Sequence, residues 1–139
     1  MPLPLVKGLF DWTCDKDPEQ QFGSCAVFYG SYESGRPRAL GGNPSLGKKY
    51  FLDAIVKYPN NIMIPVAYIQ YYLIPQLEEK KYKRLKNNIE KQIKQHKALF
   101  KFNPKVRANQ KENNPRVNIY NTVAAKRYWI IKKYEKDIF

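Results

Sequence analysis

Twenty consecutive residues, Tyr58 to Leu77, carry no charge in a chain of which 27% is charged. At a helical rise of about 1.5 Å per residue such a stretch spans roughly 30 Å, the hydrocarbon thickness of a bilayer. It predicts one membrane-crossing helix. Asn60, Asn61, Gln70 and Gln76 lie inside it, and Pro59, Pro65 and Pro75 remove backbone donors. The predicted span therefore packs against other protein, which satisfies the freed groups. Tyr58, Tyr68, Tyr71 and Tyr72 fit either a membrane interface or a helix contact. The competing expectation is a buried helix of a soluble domain, because the densest apolar run, Ile62 to Ala67 with Tyr68 and Ile69, is only eight residues.

The flanking patterns complete a mostly α architecture in three regions. Residues 1–47 hold the turn signals Ser34-Gly35, Gly41-Gly42 and Asn43-Pro44, and read as an irregular arm lying along another surface. Region 48–100 is the helical, membrane-anchoring part. It opens with a short amphipathic helix over Lys48 to Tyr58, where Phe51, Ala54, Ile55 and Tyr58 recur at helical spacing and Pro59 ends the run. From about Ile62 a long helix passes through the uncharged stretch into Glu78-Glu79-Lys80-Lys81 and on to about Phe100. Tyr82, Leu85, Ile89 and Ile93 form its narrow seam. Glu79 with Lys83 and Glu90 with Lys94 add four-residue pairs worth a few tenths of a kcal/mol each. Region 101–139 begins with a polar linker between Asn103-Pro104 and Asn113-Asn114-Pro115, followed by a basic C-terminal helix from about Thr122. Asn121 is its expected N-cap, Ala124, Tyr128, Ile131 and Ile138 its apolar side, and Trp129 an anchor for a protein contact. No internal repeat is evident.

Charge sharpens this picture. Residues 1–47 carry four Lys/Arg against five Asp/Glu, whereas residues 48–139 carry 21 against seven, so the net of +13 belongs entirely to the second part. Such asymmetry predicts an anionic partner: nucleic acid, lipid headgroups or an acidic protein face. Cys14 and Cys25 match no zinc or paired redox spacing; they read as free thiols, with a disulfide left open for an oxidising compartment. The first ten residues show neither a secretory core nor a transit-peptide pattern, so any organelle address is expected to be internal.

Catalytic chemistry gains no support. The single histidine, His96, sits among Lys94, Gln95 and Lys97 and reads as solvated. Asp11, Asp15, Asp17 and Glu19 read as a solvated acidic loop, and Gly41-Gly42-Asn43-Pro44 lacks the ending of a phosphate loop. No catalytic residue, cofactor site or metal site is expected.

The run Ile64-Pro65-Val66-Ala67-Tyr68-Ile69-Gln70-Tyr71-Tyr72-Leu73, followed by Glu78-Glu79-Lys80-Lys81-Tyr82-Lys83-Arg84, resembles the subunit 8 family of mitochondrial ubiquinol:cytochrome c reductase, the small ubiquinone-binding subunit of respiratory complex III. The resemblance implies a non-catalytic accessory subunit of the mitochondrial inner membrane, supporting electron transport beside cytochrome b. It implies that Tyr68, Gln70, Tyr71 and Tyr72 contact partner helices or lipid. Lys80, Lys81, Lys83 and Arg84 would then meet anionic headgroups such as cardiolipin, at about 1 kcal/mol each. Two other classes fit the charge: a basic RNA-binding or ribosomal protein, and a structural protein lying on an acidic filament such as a microtubule.

Overall fold

In the computed structural model, residues 2–95 and 115–139 are described. Helix α1 covers Leu3–Lys16, with Pro4 in its first turn, where a missing N–H costs no hydrogen bond. A turn at Gln20–Phe22 leads to α2, Ser24–Gly35. The turn runs through three successive positive φ angles, at Gln21, Phe22 and Gly23. It lays α2 antiparallel beside α1, as the matched contacts show: Phe10 stacks on Phe28 at 3.8 Å, and Cys14 is joined to Cys25. The cysteines are therefore a disulfide and not free thiols. The described residues 2–47, expected as part of an irregular arm, are largely helical instead; Gly23, Gly41 and Gly42 serve the turns, and Gly30 and Gly47 the packing of helix on helix.

A second turn, Arg38–Leu40, precedes α3, Pro44–Lys57. Asn43 caps α3 by accepting from the Leu46 N–H at 3.1 Å, and Pro44 takes the first helical position. Among the described residues, helices α2 and α3 share the most extensive helix-to-helix contact. Gly30 lies under the fully buried Phe51 ring, where a Cβ would come within 2.8 Å of the ring, and Gly47 faces the Gly30 carbonyl at the same distance.

The uncharged stretch then forms α4, Met63–Tyr68, which continues as a wider π-helical turn over Ile69–Leu73. Ile64, Pro65, Val66, Ala67, Tyr68, Ile69 and Leu73 are all buried. Six residues plus five give 11, or about 16 Å of helix, half of what a bilayer needs. Among the described residues no helix is long and apolar enough to cross a membrane. The expected transmembrane helix is thus the central helix of a protein core, where α2, α3 and the later helix Pro115–Lys133 supply the apolar surroundings that lipid was expected to give.

Nor does that helix run on. Pro75 has no N–H, and its ring conflicts with a carbonyl four residues back. The turn before it widens, so that the Ile74 N–H donates to the Ile69 carbonyl at 3.0 Å, and Leu77 at φ 52 closes it. Helix α5 is a separate element, Glu79–Gln95, turning Tyr82, Ile89 and Ile93 inward. His96, the reach toward Phe100 and the linker from Asn103-Pro104 to Asn114 lie outside the described residues.

Helix α6 runs from Pro115 to Lys133, and a short α7 covers Glu135–Ile138. Asn121 is not the N-cap expected of it but a buried residue in mid-helix. Its Oδ1 accepts from the Ile62 N–H at 2.9 Å, and its Nδ2 donates to the Asn60 carbonyl at 2.8 Å. One side chain thereby satisfies the backbone just before α4. Ala124, Ala125 and Tyr128 complete the core. Glu90 joins α5 to α6 by accepting from Tyr128 and from Lys132, the latter at 2.6 Å; Lys86 reaches Glu135 of α7 at 2.7 Å.

Candidate docking site

The loop between α2 and α3 is organised by one side chain. The Arg36 guanidinium lies over the Tyr32 ring, 3.8 Å from its centroid. It donates to the carbonyls of Tyr32 at 3.1 Å, Leu40 at 3.0 Å and Gly41 at 3.2 Å, and approaches the Glu33 carboxylate at 3.4 Å. Glu33 also accepts from the Asn43 N–H at 3.2 Å. Sequence dictates the tight course: Pro37 fixes its own φ and accepts from both Leu40 and Gly42. Gly41 sits at φ 81, and a Cβ on Gly42 would lie 2.7 Å from the Arg36 carbonyl carbon. The outcome is a loop held rigidly from behind, with Leu40 presented to solvent at 70% exposure and Arg38 beside it. Apolar surface held so far out in water, on a backbone with its carbonyls already engaged, is suited to filling a pocket on another protein.

Next to it an open groove of about 470 Å³ lies between α1, α2 and α3, lined by Lys7, Asp11, Cys14, Asp15, Tyr29, Glu33 and Tyr50. Asp11 is fully engaged. It accepts from Lys7 at 2.6 Å and from the Tyr29 hydroxyl at 2.7 Å, and these two donors hold its carboxyl below the usual range. Burial, and then the Asp11 carboxylate, push the Tyr29 phenol up to about 12. The Lys7 ammonium is raised by the same hydrogen bond. Tyr29 and Tyr50 face each other at 5.5 Å between ring centroids. No nucleophile is paired with a base in this groove, and among the described residues no group of His, Cys, Asp and Glu could hold a metal ion.

The residues expected to meet partner helices or lipid fall into two places. Tyr68 is buried between Phe51 and Tyr72, at 5.5 and 5.3 Å between ring centroids, and burial pushes its phenol up to about 12. Gln70, Tyr71 and Tyr72 are half-buried beside it, with the Lys48 ammonium 5.9 Å from the Tyr72 centroid. Lys80, Lys81, Lys83 and Arg84 are exposed at the start of α5, where Lys81 pairs with Glu78 at 2.7 Å and Lys83 with Glu79 at 2.6 Å. The sequence marks Gly41-Gly42 as a turn but gives Arg36 and Leu40 no role. Their signal was an arginine and a proline ahead of two adjacent glycines, which marks a turn too tight for side chains.

The described residues form a helical protein whose surface carries a clamped loop with an exposed leucine and, beside it, an open polar groove. The model of the family TAtT, TRAP transporter T-component, matches residues 1–139, and the chain belongs to that family. A T-component is a subunit of a transporter, and TRAP transporters are a bacterial system. No curated protein and no solved structure matches the chain.

Family membership corrects the resemblance to subunit 8 of complex III. That likeness covered about 40 residues, and those residues are the start of a core and the charged helix after it, a pattern that a buried helix shares with a membrane span. With it go cytochrome b and cardiolipin as partners, the mitochondrial inner membrane as location and a role in electron transport. The RNA-binding and filament-associated alternatives are displaced by the same match. The partners a T-component has are TRAP transporter subunits.

Proposed function

We propose that this chain is a non-catalytic docking subunit of a TRAP transporter, holding other subunits through the Arg36-clamped loop and the groove beside it. The observation that carries this reading is Leu40, 70% exposed on a loop whose carbonyls are tied down by a single guanidinium. Rigidity of this kind lowers the ordering cost of association. The exposed basic start of α5, with Lys80, Lys81, Lys83 and Arg84, is a further contact surface in the same reading. The disulfide supports a working place outside the reducing cytosol, such as a bacterial periplasm.

Capture of the other transporter subunits from a detergent extract of bacterial membranes tests the proposal. Wild-type chain is expected to retain them. L40D, a change in solvent that leaves the helical circular dichroism intact, is expected to lower retention at least about tenfold, the effect of losing roughly 1.4 kcal/mol. Equal retention by L40D would remove the loop from the interface. Failure of the wild-type chain to retain any transporter subunit would end the docking role itself.

A further inference from the structure

The groove between α1, α2 and α3 has a chemistry of its own. Its three carboxylates, Asp11, Asp15 and Glu33, stand against one ammonium, Lys7, a net of −2. The surroundings are the reverse: residues 48–139 carry 21 Lys/Arg against seven Asp/Glu. An acidic recess on a basic molecule selects a cation. That cation is not a metal ion, since among the described residues no group of His, Cys, Asp and Glu could hold one.

The three carboxylates are not equivalent. Asp11 is taken up by Lys7 and by the Tyr29 hydroxyl. Glu33 is shared between the Arg36 guanidinium at 3.4 Å and the Asn43 N–H at 3.2 Å. Asp15, exposed at the groove, has no ion-pair partner among the described residues. Tyr29 and Tyr50 both line the groove, their rings 5.5 Å apart and tilted by 30°. Among the described residues no cation lies over either ring.

The loop next door shows what a ring and a carboxylate can hold together. There the Arg36 guanidinium lies over Tyr32, 3.8 Å from its centroid, with the Glu33 carboxylate at its edge. Tyr50 and Asp15 offer the same two groups in a recess of about 470 Å³, within the range of small-ligand sites, about 300–1,000 Å³. A guanidinium suits them better than an ammonium, because it is planar, weakly hydrated, stacks on an aromatic face and gives a carboxylate two parallel donors. Glu33 ties groove to loop, since it lines the one and is bonded to Arg36 and Asn43 of the other. A partner seated on Leu40 therefore reaches the groove in the same contact.

We infer that the groove receives an arginine side chain of the partner subunit, its guanidinium stacked against Tyr50 and paired with Asp15, while Leu40 fills an apolar pocket of the same partner. This rests on the proposed docking role of the loop. The loop supplies an apolar anchor, and the groove supplies selection: a partner with an acidic side chain at that place is repelled by Asp15 and Glu33.

Two measurements on the full chain test this. In the capture of transporter subunits, D15N and Y50L are each expected to lower retention at least about fivefold, and D15E to keep it near wild type. Added salt is expected to weaken retention by wild type more than by D15N. The second measurement follows backbone amide shifts by nuclear magnetic resonance as N-acetylarginine methylamide is added. Saturable shifts at Asp15, Tyr29 and Tyr50 are expected, with none from the matching glutamate compound and none in D15N. Retention by D15N and Y50L equal to wild type, with L40D still deficient, would overturn the inference and leave the docking loop standing. Shifts that do not saturate, or that spread over acidic residues elsewhere in the chain, would overturn it as well. Saturable binding of the arginine compound by a chain whose retention ignores D15N would assign the groove to a free cation, against the inference. A wild-type chain that retains no transporter subunit would remove the docking role, and the partner's arginine with it.

Discussion

Gly47 and Gly8 are the same residue type with opposite physical roles. Gly47 is buried against the Gly30 carbonyl and the Ser34 amide, at 2.8 and 3.0 Å from where a Cβ would sit, and both are backbone atoms that cannot swing aside. G47A is expected to cost about 2–3 kcal/mol, the range for overpacking a tight helix contact. G8A, in open space, is expected to stabilise the fold by roughly 0.5–1 kcal/mol through helix propensity alone. Urea denaturation followed by circular dichroism reads both; equal effects of the two substitutions would contradict this account of the α2–α3 contact. In the sequence both glycines look like turn residues, since propensity treats every glycine alike.

At the scale of elements, periodicity was legible wherever one side of a helix meets water. The Phe51–Ala54 and Tyr82–Ile89–Ile93 stripes are the inner faces of α3 and α5; the other face of α5 is charged, whereas that of α3 mixes Lys48, Lys49, Asp53 and Lys57 with the exposed Leu52 and Val56. It was not legible for α4, which touches protein on every side and so has no polar face to reveal a period; Pro75 was the sign that the helix stops short. The α5–α6 contact is electrostatic and gives a pH dependence. Lys132, then Tyr128, hold the Glu90 carboxyl below its ordinary 4.5. A carboxylate with a depressed folded-state pKa stabilises the fold above the unfolded value and loses that contribution as the pH falls through the folded one. E90Q is therefore expected to be less stable than wild type at pH 7, by on the order of 1 kcal/mol for a partly exposed pair, with the difference shrinking below pH 4.5. Urea midpoints of the two proteins at pH 7 and pH 3.5 check this; a difference that does not change with pH would contradict it.

For the molecule as a whole, the disulfide decides how much of the chain behaves as one unit. Helix α1 has no buried residue and leans on α2 through Phe10, Asp11 and the Cys14–Cys25 bond, which spans 11 residues. Reduction, or C14S/C25S, is expected to lower stability by roughly 3 kcal/mol and to raise amide exchange over residues 3–16 while α2 to α5 stay protected. Uniform loss of protection across the chain would show that α1 is integral to the core. Cysteine spacing left this bond open, because pairing depends on the antiparallel course of α1 and α2, which the unusual turn at Gln21 to Gly23 sets. The charge asymmetry, by contrast, was visible from composition. What it could not reveal was that the basic residues of α6 flank an apolar face that faces outward.

The Asn121 side chain has a consequence for how the protein is made. Ile62 and Asn60 find their partner 59 and 61 positions later, and Ala124, Ala125 and Tyr128 close the core over α4 from the same late helix. While the ribosome is still synthesising α6, the most apolar part of the nascent polypeptide stands open, with a backbone donor and acceptor unmatched. Its protection from aggregation and proteolysis begins only once translation has passed Tyr128.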